Sequence, residues 1–282
     1  MIWQTKSRSF DVSRRALIMG VLNVTTDSFS DGGQYIDVER AVAHGRQLAE
    51  EGAEIIDVGG ESTRPGAEPV PEAEEMRRVL PVIEQLTVSN PNYVISIDTM
   101  KPAVARAAMA AGADIVNDVT GLRDPAMRTV VRETGAGAIA MHMQGQPRDM
   151  QRSPSYDNLV GEIREFFRQT FEACLACGIH PMQLAFDPGI GFGKTMEHNL
   201  VLLRSLESMR VEGRPMVLGV SRKSFLGKVL GSDALDDRAW PTVAVTSYGR
   251  TRGANIFRVH AARSNTEALR MTEAILDPEA IA

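Results

Sequence analysis

The chain reads as an α/β protein, a (β/α)8 TIM barrel in a single domain spanning 1–282. Three observations predict this. Eight short apolar stretches alternate with helical stretches. Each apolar stretch ends in a loop rich in Gly, Asp or Asn. The residues able to do chemistry cluster just after those stretches, at the strand ends that a parallel barrel gathers on one face. A doubly wound open sheet shares the alternation and is the rival architecture.

In chain order, the first strand is read at Ala16–Leu22 and the first helix at Val38–Glu51, with Gly52 as its stop. The second strand, Glu54–Val58, precedes a helix at Pro71–Leu86. Tyr93–Ile97 leads to Pro102–Ala111, with Pro at a first-turn position where a missing N–H costs little and Gly112 at the end. Ile115–Val116 leads to Asp124–Glu133, and Ala138–Met141 to Leu159–Cys177, stopped by Gly178. Gln183–Phe186 leads to His198–Leu206, Met216–Val220 to Thr242–Arg252, and Asn255–Val259 to Asn265–Leu276. Two connections, 23–37 and 59–70, are longer than the usual βα loop and are read as mobile active-site loops.

Composition narrows the function. With 43% apolar and 24% charged residues in 282, the chain is a folding one rather than a disordered one. Its 31 Lys and Arg against 36 Asp and Glu leave a net charge of −5, a poor basis for holding nucleic acid or an anionic membrane by bulk charge. No apolar run reaches the roughly 18 residues of a bilayer span, and Met1 to Arg15 lacks the apolar centre of a secretory signal. Two Cys, Cys174 and Cys177, cannot make a disulfide framework, so a cytoplasmic location is expected, with no nucleic-acid or membrane partner. Their CxxC spacing lies inside a helix with no second pair, which favours structural thiols over zinc.

The strand ends carry Asn23, then Glu61, Thr63 and Arg64, then Asp98, Asn117 with Asp118, His142, Asp187, Ser221 with Arg222 and Lys223, and finally Arg258 and His260. Asp and Asn after a strand also cap the next helix. Capping does not account for Arg64, Lys223, Arg258 or His260. Asp98, Asn117 and Asp187 suit a flat heterocycle with a donor–donor edge, such as a 2-amino-4-oxo pyrimidine ring. Arg64, Arg222, Lys223, Arg258 and His260 suit a phosphate or pyrophosphate. Gly189, Gly191 and Gly193 allow close backbone approach, and Phe192 among them offers a wall for a planar ring. The residues alone therefore indicate a barrel enzyme acting on a planar polar ring with a phosphorylated arm. His142 is read equally as core or as site lining. Gly193-Lys194-Thr195 ends like a P-loop, but Pro188 stands where that motif needs Gly.

Several segments, in this order and spacing, resemble the dihydropteroate synthases. They are the run Met19–Gly33 (MGVLNVTTDSFSDGG), Asp57–Ala67 (DVGGESTRPGA), Ser96–Thr99, Asn117-Asp118, Met141–Gly145, Asp187–Lys194 (DPGIGFGK), Ser221–Gly227 (SRKSFLG) and Arg258–His260. The resemblance implies a transferase of folate biosynthesis, a sulfonamide target. It condenses 6-hydroxymethyl-7,8-dihydropterin diphosphate with 4-aminobenzoate to give 7,8-dihydropteroate and pyrophosphate. It also implies Mg2+ as cofactor, bound by Asn23, and a homodimer. Asp98, Asn117, Asp187 and Lys223 would bond the pterin, with Met141, Phe192, Gly219 and Arg258 lining its pocket. Asn23, Thr63, Arg64, Arg258 and His260 would hold the diphosphate. Phe29, Pro65, Phe192, Lys223 and Ser224, at a helix start, would receive the aminobenzoate. Asp187, Lys223, Arg258 and Asn23 are the residues expected to carry catalysis.

Two positions depart from the family pattern: Thr26 where Pro is common, and Ala261 where Asp is usual. Two other readings remain open. One is a catalytically silent pterin-binding paralogue. The other is a pterin-dependent methyltransferase domain, which would leave Arg64, His260 and the long first loop without a task.

Overall fold

A computed structural model describes residues 1–25, 34–63, 66–147 and 149–281. The chain opens with a hairpin that the sequence reading did not expect, β1 (Ile2–Gln4) paired antiparallel with β2 (Ser9–Asp11). The barrel strands follow: β3 (Leu17–Asn23), β4 (Ile55–Gly59), β5 (Val94–Asp98), β6 (Ile115–Asp118), β7 (Gly137–Met141), β8 (Leu184–Asp187), β9 (Val217–Leu218) and β10 (Ile256–Val259). Between and after them run α1 (Gln34–Glu50), α2 (Glu72–Ser89), α3 (Pro102–Ala111), α4 (Pro125–Thr134), α5 (Leu159–Ala176), α6 (Met196–Arg204), α7 (Ser224–Leu230), α8 (Ala239–Thr251) and α9 (Ala262–Leu276).

All eight barrel strands pair in parallel, in the order β8-β7-β6-β5-β4-β3-β10-β9. A single parallel bridge, Phe186 to Met216, joins the two ends, and the Phe186 N–H donates to Pro215 O at 3.0 Å. That closure removes the open-sheet rival. Every predicted strand is present, although β9 is only two residues of the expected Met216–Val220. The helix α1 begins at Gln34, so the connection read as 23–37 is shorter than expected. The short α7 was anticipated only as a helix start at Ser224.

Strand periodicity builds two cores. Ile18, Leu22, Ile56, Val58, Ile95, Ile97 and Val116 face the helices. Their alternate neighbours Met19, Ile55, Val94, Ile115, Ile139, Ala185, Val217 and Ile256 fill the base of the barrel. Both faces are buried, which explains why the strands read as continuous apolar runs. Helix ends follow local chemistry: Asp124 caps α4 through the Ala126 N–H, Asn158 caps α5, and Thr195 with His198 forms a reciprocal cap on α6.

The hairpin closes the barrel's base. Trp3 is fully buried against the lower apolar layer, and its indole N–H donates to Gln183 O at 2.9 Å. Trp3→Ala empties that plug and is expected to cost about 3–5 kcal/mol, read as a lowered urea midpoint with an unchanged slope. A shift below about 1 kcal/mol would show that the hairpin only decorates the base.

Candidate active site

Above the apolar layer, the same inward positions turn polar. The strand register sets Asn23 beside Gly59, Gly59 beside Asp98, and Asp98 beside Asn117. Met141 sits beside Asp187 across the β7–β8 pair. None of these residues caps a following helix. The positions before α3 and α4 are Lys101 and Asp124, and Asp118 instead bonds the Thr120 and Leu122 N–H groups in a turn.

Arg258 is the hub. Its Nε donates to Asp57 Oδ2 at 2.5 Å and its Nη2 to Asp98 Oδ2 at 2.7 Å. Asn117 Nδ2 also donates to Asp57 Oδ2, at 3.2 Å. Burial works against the Arg258 charge, but Asp57 and then Asp98 outweigh it and hold the guanidinium protonated. Burial pushes the Asp98 carboxyl up, and Arg258 pulls it back. The second oxygen of Asp98, Oδ1, is buried with no hydrogen-bond partner. It is an acceptor awaiting a donor.

Asp187 lies on the opposite wall. Its Oδ1 accepts from the Gly189 N–H at 2.7 Å, and its backbone carbonyl accepts from the His142 N–H at 2.9 Å. Burial raises its pKa while Lys223 opposes that rise. Burial likewise pushes Lys223 down to about 8, with Asp187 pulling it up. The Lys223 ammonium donates to Ile190 O and lies 4.6 Å from the centre of the Phe192 ring. Gly219 leaves the space between the two walls open. A methyl group there would stand 3.6 Å from Asp187 Oδ2 and 3.8 Å from Arg258 Cβ.

Asp98, Asn117, Asp187, Gly219, Lys223 and Arg258 are thus brought to one barrel mouth. Met141 is buried in a small cluster with Val119, Met143 and Met150, against which Phe192 packs. His260 ends β10 beside Ser221, with Nδ1 2.9 Å from the Ser221 hydroxyl, which also accepts the His260 backbone N–H at 3.1 Å. Thr63 and Asn23 are half-buried at the rim. Ser224 is exposed at the first position of α7, whose N-cap, Lys223, offers no side-chain bond to the free N–H groups of the first turn. Ala261 stands before α9 and likewise offers no cap. Phe29, Arg64, Pro65 and the departure at Thr26 lie outside the described residues.

Sequence reasoning missed Asp57. It lies inside the stretch predicted as the second strand, is fully buried, and joins Arg258 to Asn117. The usable signal was a carboxylate at an inward position of an apolar strand, which needs a buried partner. His142, left between two readings, is 7% exposed and packs edge-on against Phe166 below the mouth. The P-loop look-alike dissolves too: the Lys194 side chain is buried rather than free to meet a phosphate.

Among the described residues, no group of three or more His, Cys, Asp or Glu could hold a metal ion. The oxygen donor at the expected Mg2+ position is the amide of Asn23, half-buried at the end of β3. A group built on Gly59 would lie 3.9 Å from Asn23 Oδ1 and 3.6 Å from Asp98 Oδ2, but the latter oxygen already accepts from Arg258 at 2.7 Å. One neutral amide oxygen is chemically compatible with Mg2+ that arrives on a diphosphate and keeps most of its ligands as water and phosphate.

Comparison with known proteins agrees with this geometry. A family model described as pterin binding enzyme matches residues 19–260. A dihydropteroate synthase of Synechocystis is 41% identical over 267 residues, covering 94% of this chain and 92% of that protein. The crystal structure of the Yersinia pestis dihydropteroate synthase with a sulfonamide drug complex is similar, with TM-score 0.91 and 41% identity over 98% of this chain and 100% of the other. That of the Xanthomonas albilineans dihydropteroate synthase in complex with 7,8-dihydropteroate gives a TM-score of 0.87 at 38% identity, over 98% of this chain and 99% of the other.

Proposed function

The chain belongs to the dihydropteroate synthase family of pterin-binding enzymes, and from that premise we propose how its barrel mouth works. It is a transferase of folate biosynthesis that joins 6-hydroxymethyl-7,8-dihydropterin diphosphate to 4-aminobenzoate, giving 7,8-dihydropteroate and pyrophosphate. The observation that carries the mechanism is the facing pair of walls, Arg258 with Asp98 and Asn117 on one side and Asp187 with Lys223 on the other.

The pterin lies between those walls. Its donor edge meets Asp98 Oδ1 and Asp187, its acceptors meet Asn117 and Lys223, and Arg258 covers its face beside Met141 and Phe192. Asn23, Thr63, Arg64, Arg258 and His260 hold the diphosphate at the rim. Mg2+, when bound at Asn23, supplies charge neutralisation for the departing pyrophosphate. As the C–O bond breaks, the dihydropterin ring takes up positive charge and Asp187 stabilises that charge better than it stabilises the neutral substrate. The arylamine of 4-aminobenzoate then attacks the exocyclic carbon and loses its proton to solvent, with no strong general base required. Its carboxylate rests on the free N–H groups at Ser224, and Phe29, Pro65, Phe192 and Lys223 flank its ring.

Purified protein with Mg2+, the pterin diphosphate and labelled 4-aminobenzoate should release pyrophosphate, and a sulfonamide should compete with the aminobenzoate. Tight pterin binding without turnover would support the silent paralogue instead. Arg64→Ala should weaken the diphosphate substrate at least tenfold more than a bare pterin, about 1.4 kcal/mol of selectivity. Equal losses for both ligands would remove Arg64 from the diphosphate site.

The protein works as a homodimer in the cytoplasm in this reading. Trp240 of α8 and Met271, Ile275 and Leu276 of α9 expose apolar area that a second copy would cover. Free Cys174 and Cys177 suit a reducing compartment, and no helix among the described residues is long and apolar enough to cross a membrane. Light scattering at twice the chain mass would agree with the dimer; a monomer would remove it.

A further inference from the structure

Below the loop that follows β8 lies a charged side chain to which the reaction above assigns no task. Lys194 is 3% exposed. Its Nζ donates to Phe192 O at 2.9 Å and to His142 O at 3.4 Å, and lies 3.1 Å from His142 Nδ1. Three acceptors thus meet the three donors of an ammonium group. Burial pushes the Lys194 pKa down to about 7 and holds His142 neutral, its pKa down to about 2, so the imidazole is free to accept. A buried lysine is costly in a core where Met would pack as well. What it holds is therefore the informative question.

It holds a loop with few bonds of its own. Gly189 and Gly193 turn the backbone through φ +66° and +63°, and a side chain at Gly189 would strike His142 O at 1.9 Å. The four carbonyls from Ile190 to Gly193 point away from any sheet or helix ladder, and each accepts from a separate side chain. Lys223 bonds Ile190 O, Gln151 bonds Gly191 O at 2.6 Å, Lys194 bonds Phe192 O, and Tyr156 bonds Gly193 O at 2.8 Å. Of the four, Lys194 is the one that grips Phe192 itself, and it ties that residue to the end of β7 through His142. The Phe192 ring in turn carries the Lys223 ammonium on its face.

We propose that Lys194 is a positioning residue for the arylamine half of the reaction: it fastens the Phe192 backbone to the β7 end, and so fixes the ring against which the 4-aminobenzoate lies. The inference rests on the assignment of Phe192 made above. It predicts the larger effect on 4-aminobenzoate, because Phe192 is one of several groups at the pterin, which Asp98, Asn117, Asp187 and Arg258 also hold.

The test compares Lys194→Met, which keeps the volume but donates nothing, with Lys194→Gln, which keeps an N–H for Phe192 O. Phe192→Ala serves as the calibrating variant, and all are assayed beside the wild type. Lys194→Met is expected to raise the KM for 4-aminobenzoate at least tenfold and the KM for the pterin diphosphate by no more than about threefold. Lys194→Gln should recover most of that loss at an equal melting temperature. A folded Lys194→Met with wild-type kinetics, or with both KM values raised equally, would overturn the proposal, as would Gln behaving like Met. If both variants fail to fold, Lys194 is a folding residue and the proposal falls. A wild type that releases no pyrophosphate fails the functional reading itself. A working wild type with an unmoved Phe192→Ala fails the Phe192 assignment and this inference with it.

Discussion

Asp187→Asn is expected to lower kcat on the order of 10²- to 10³-fold, about 3–4 kcal/mol of transition-state stabilisation. The substitution keeps the shape and an oxygen for the Gly189 N–H, now bonded at 2.7 Å, so the loop after β8 stays folded. The negative charge is lost, and an NH2 group replaces the second oxygen, the one left for the pterin's donor edge. In the neutral substrate that charge does little. In the cationic ring it lies in a buried site, where Coulomb attraction is far stronger than in water. The expected signature is a fall in kcat larger than the rise in the KM for the pterin diphosphate, which also loses one acceptor. Single-turnover measurements would separate bond breaking from product release. If turnover survives within about threefold, positive charge on the ring is not what limits the reaction.

The second large effect is expected at Asp57, which no ligand has to touch. Its Oδ2 receives both Arg258 Nε at 2.5 Å and Asn117 Nδ2 at 3.2 Å. Asp57→Asn leaves one oxygen for two donors and turns an amide towards a guanidinium. Removing one partner of a buried ion pair typically costs about 3–5 kcal/mol, since the remaining charge stays buried. Asp98 still pairs with Arg258, so the lower part of that range is expected here. Urea unfolding measures the loss. The kcat/KM for the pterin diphosphate should fall with it, because Arg258 and Asn117 both lose their orientation. A double-mutant cycle decides the cause: Asp57→Asn with Arg258→Met should cost clearly less than the sum of the two single changes. Strict additivity would mean that Asp57 does not act through Arg258.

Most of the barrel could be read from the sequence because each strand repeats one pattern: an apolar stretch buried on both faces, then a polar residue where the strand leaves the sheet. That rule located Asn23, Asp98, Asn117, Asp187 and Arg258 before any geometry was available. It failed wherever the informative residue broke the rule. Asp57 sits inside its strand, two residues from the rim row at Gly59, so a search of strand ends passes over it. Lys194 stood in a false P-loop and was dismissed with it, although its partners, His142 and Phe192, are close only after β7 and β8 pair. The hairpin of β1 and β2 has three residues in each strand and no alternation long enough to register. β9 contributes two paired residues, fewer than its apolar stretch suggested, because the chain leaves the sheet at Gly219.

The Trp3 hairpin has a consequence for traffic. With its lower layers filled by apolar side chains and its base covered by Trp3, the cylinder meets a ligand at one open end. In the reading proposed here, the pterin seat is the deeper berth and the arylamine rests nearer the threshold. On that reading, an occupant of the threshold detains what lies behind it.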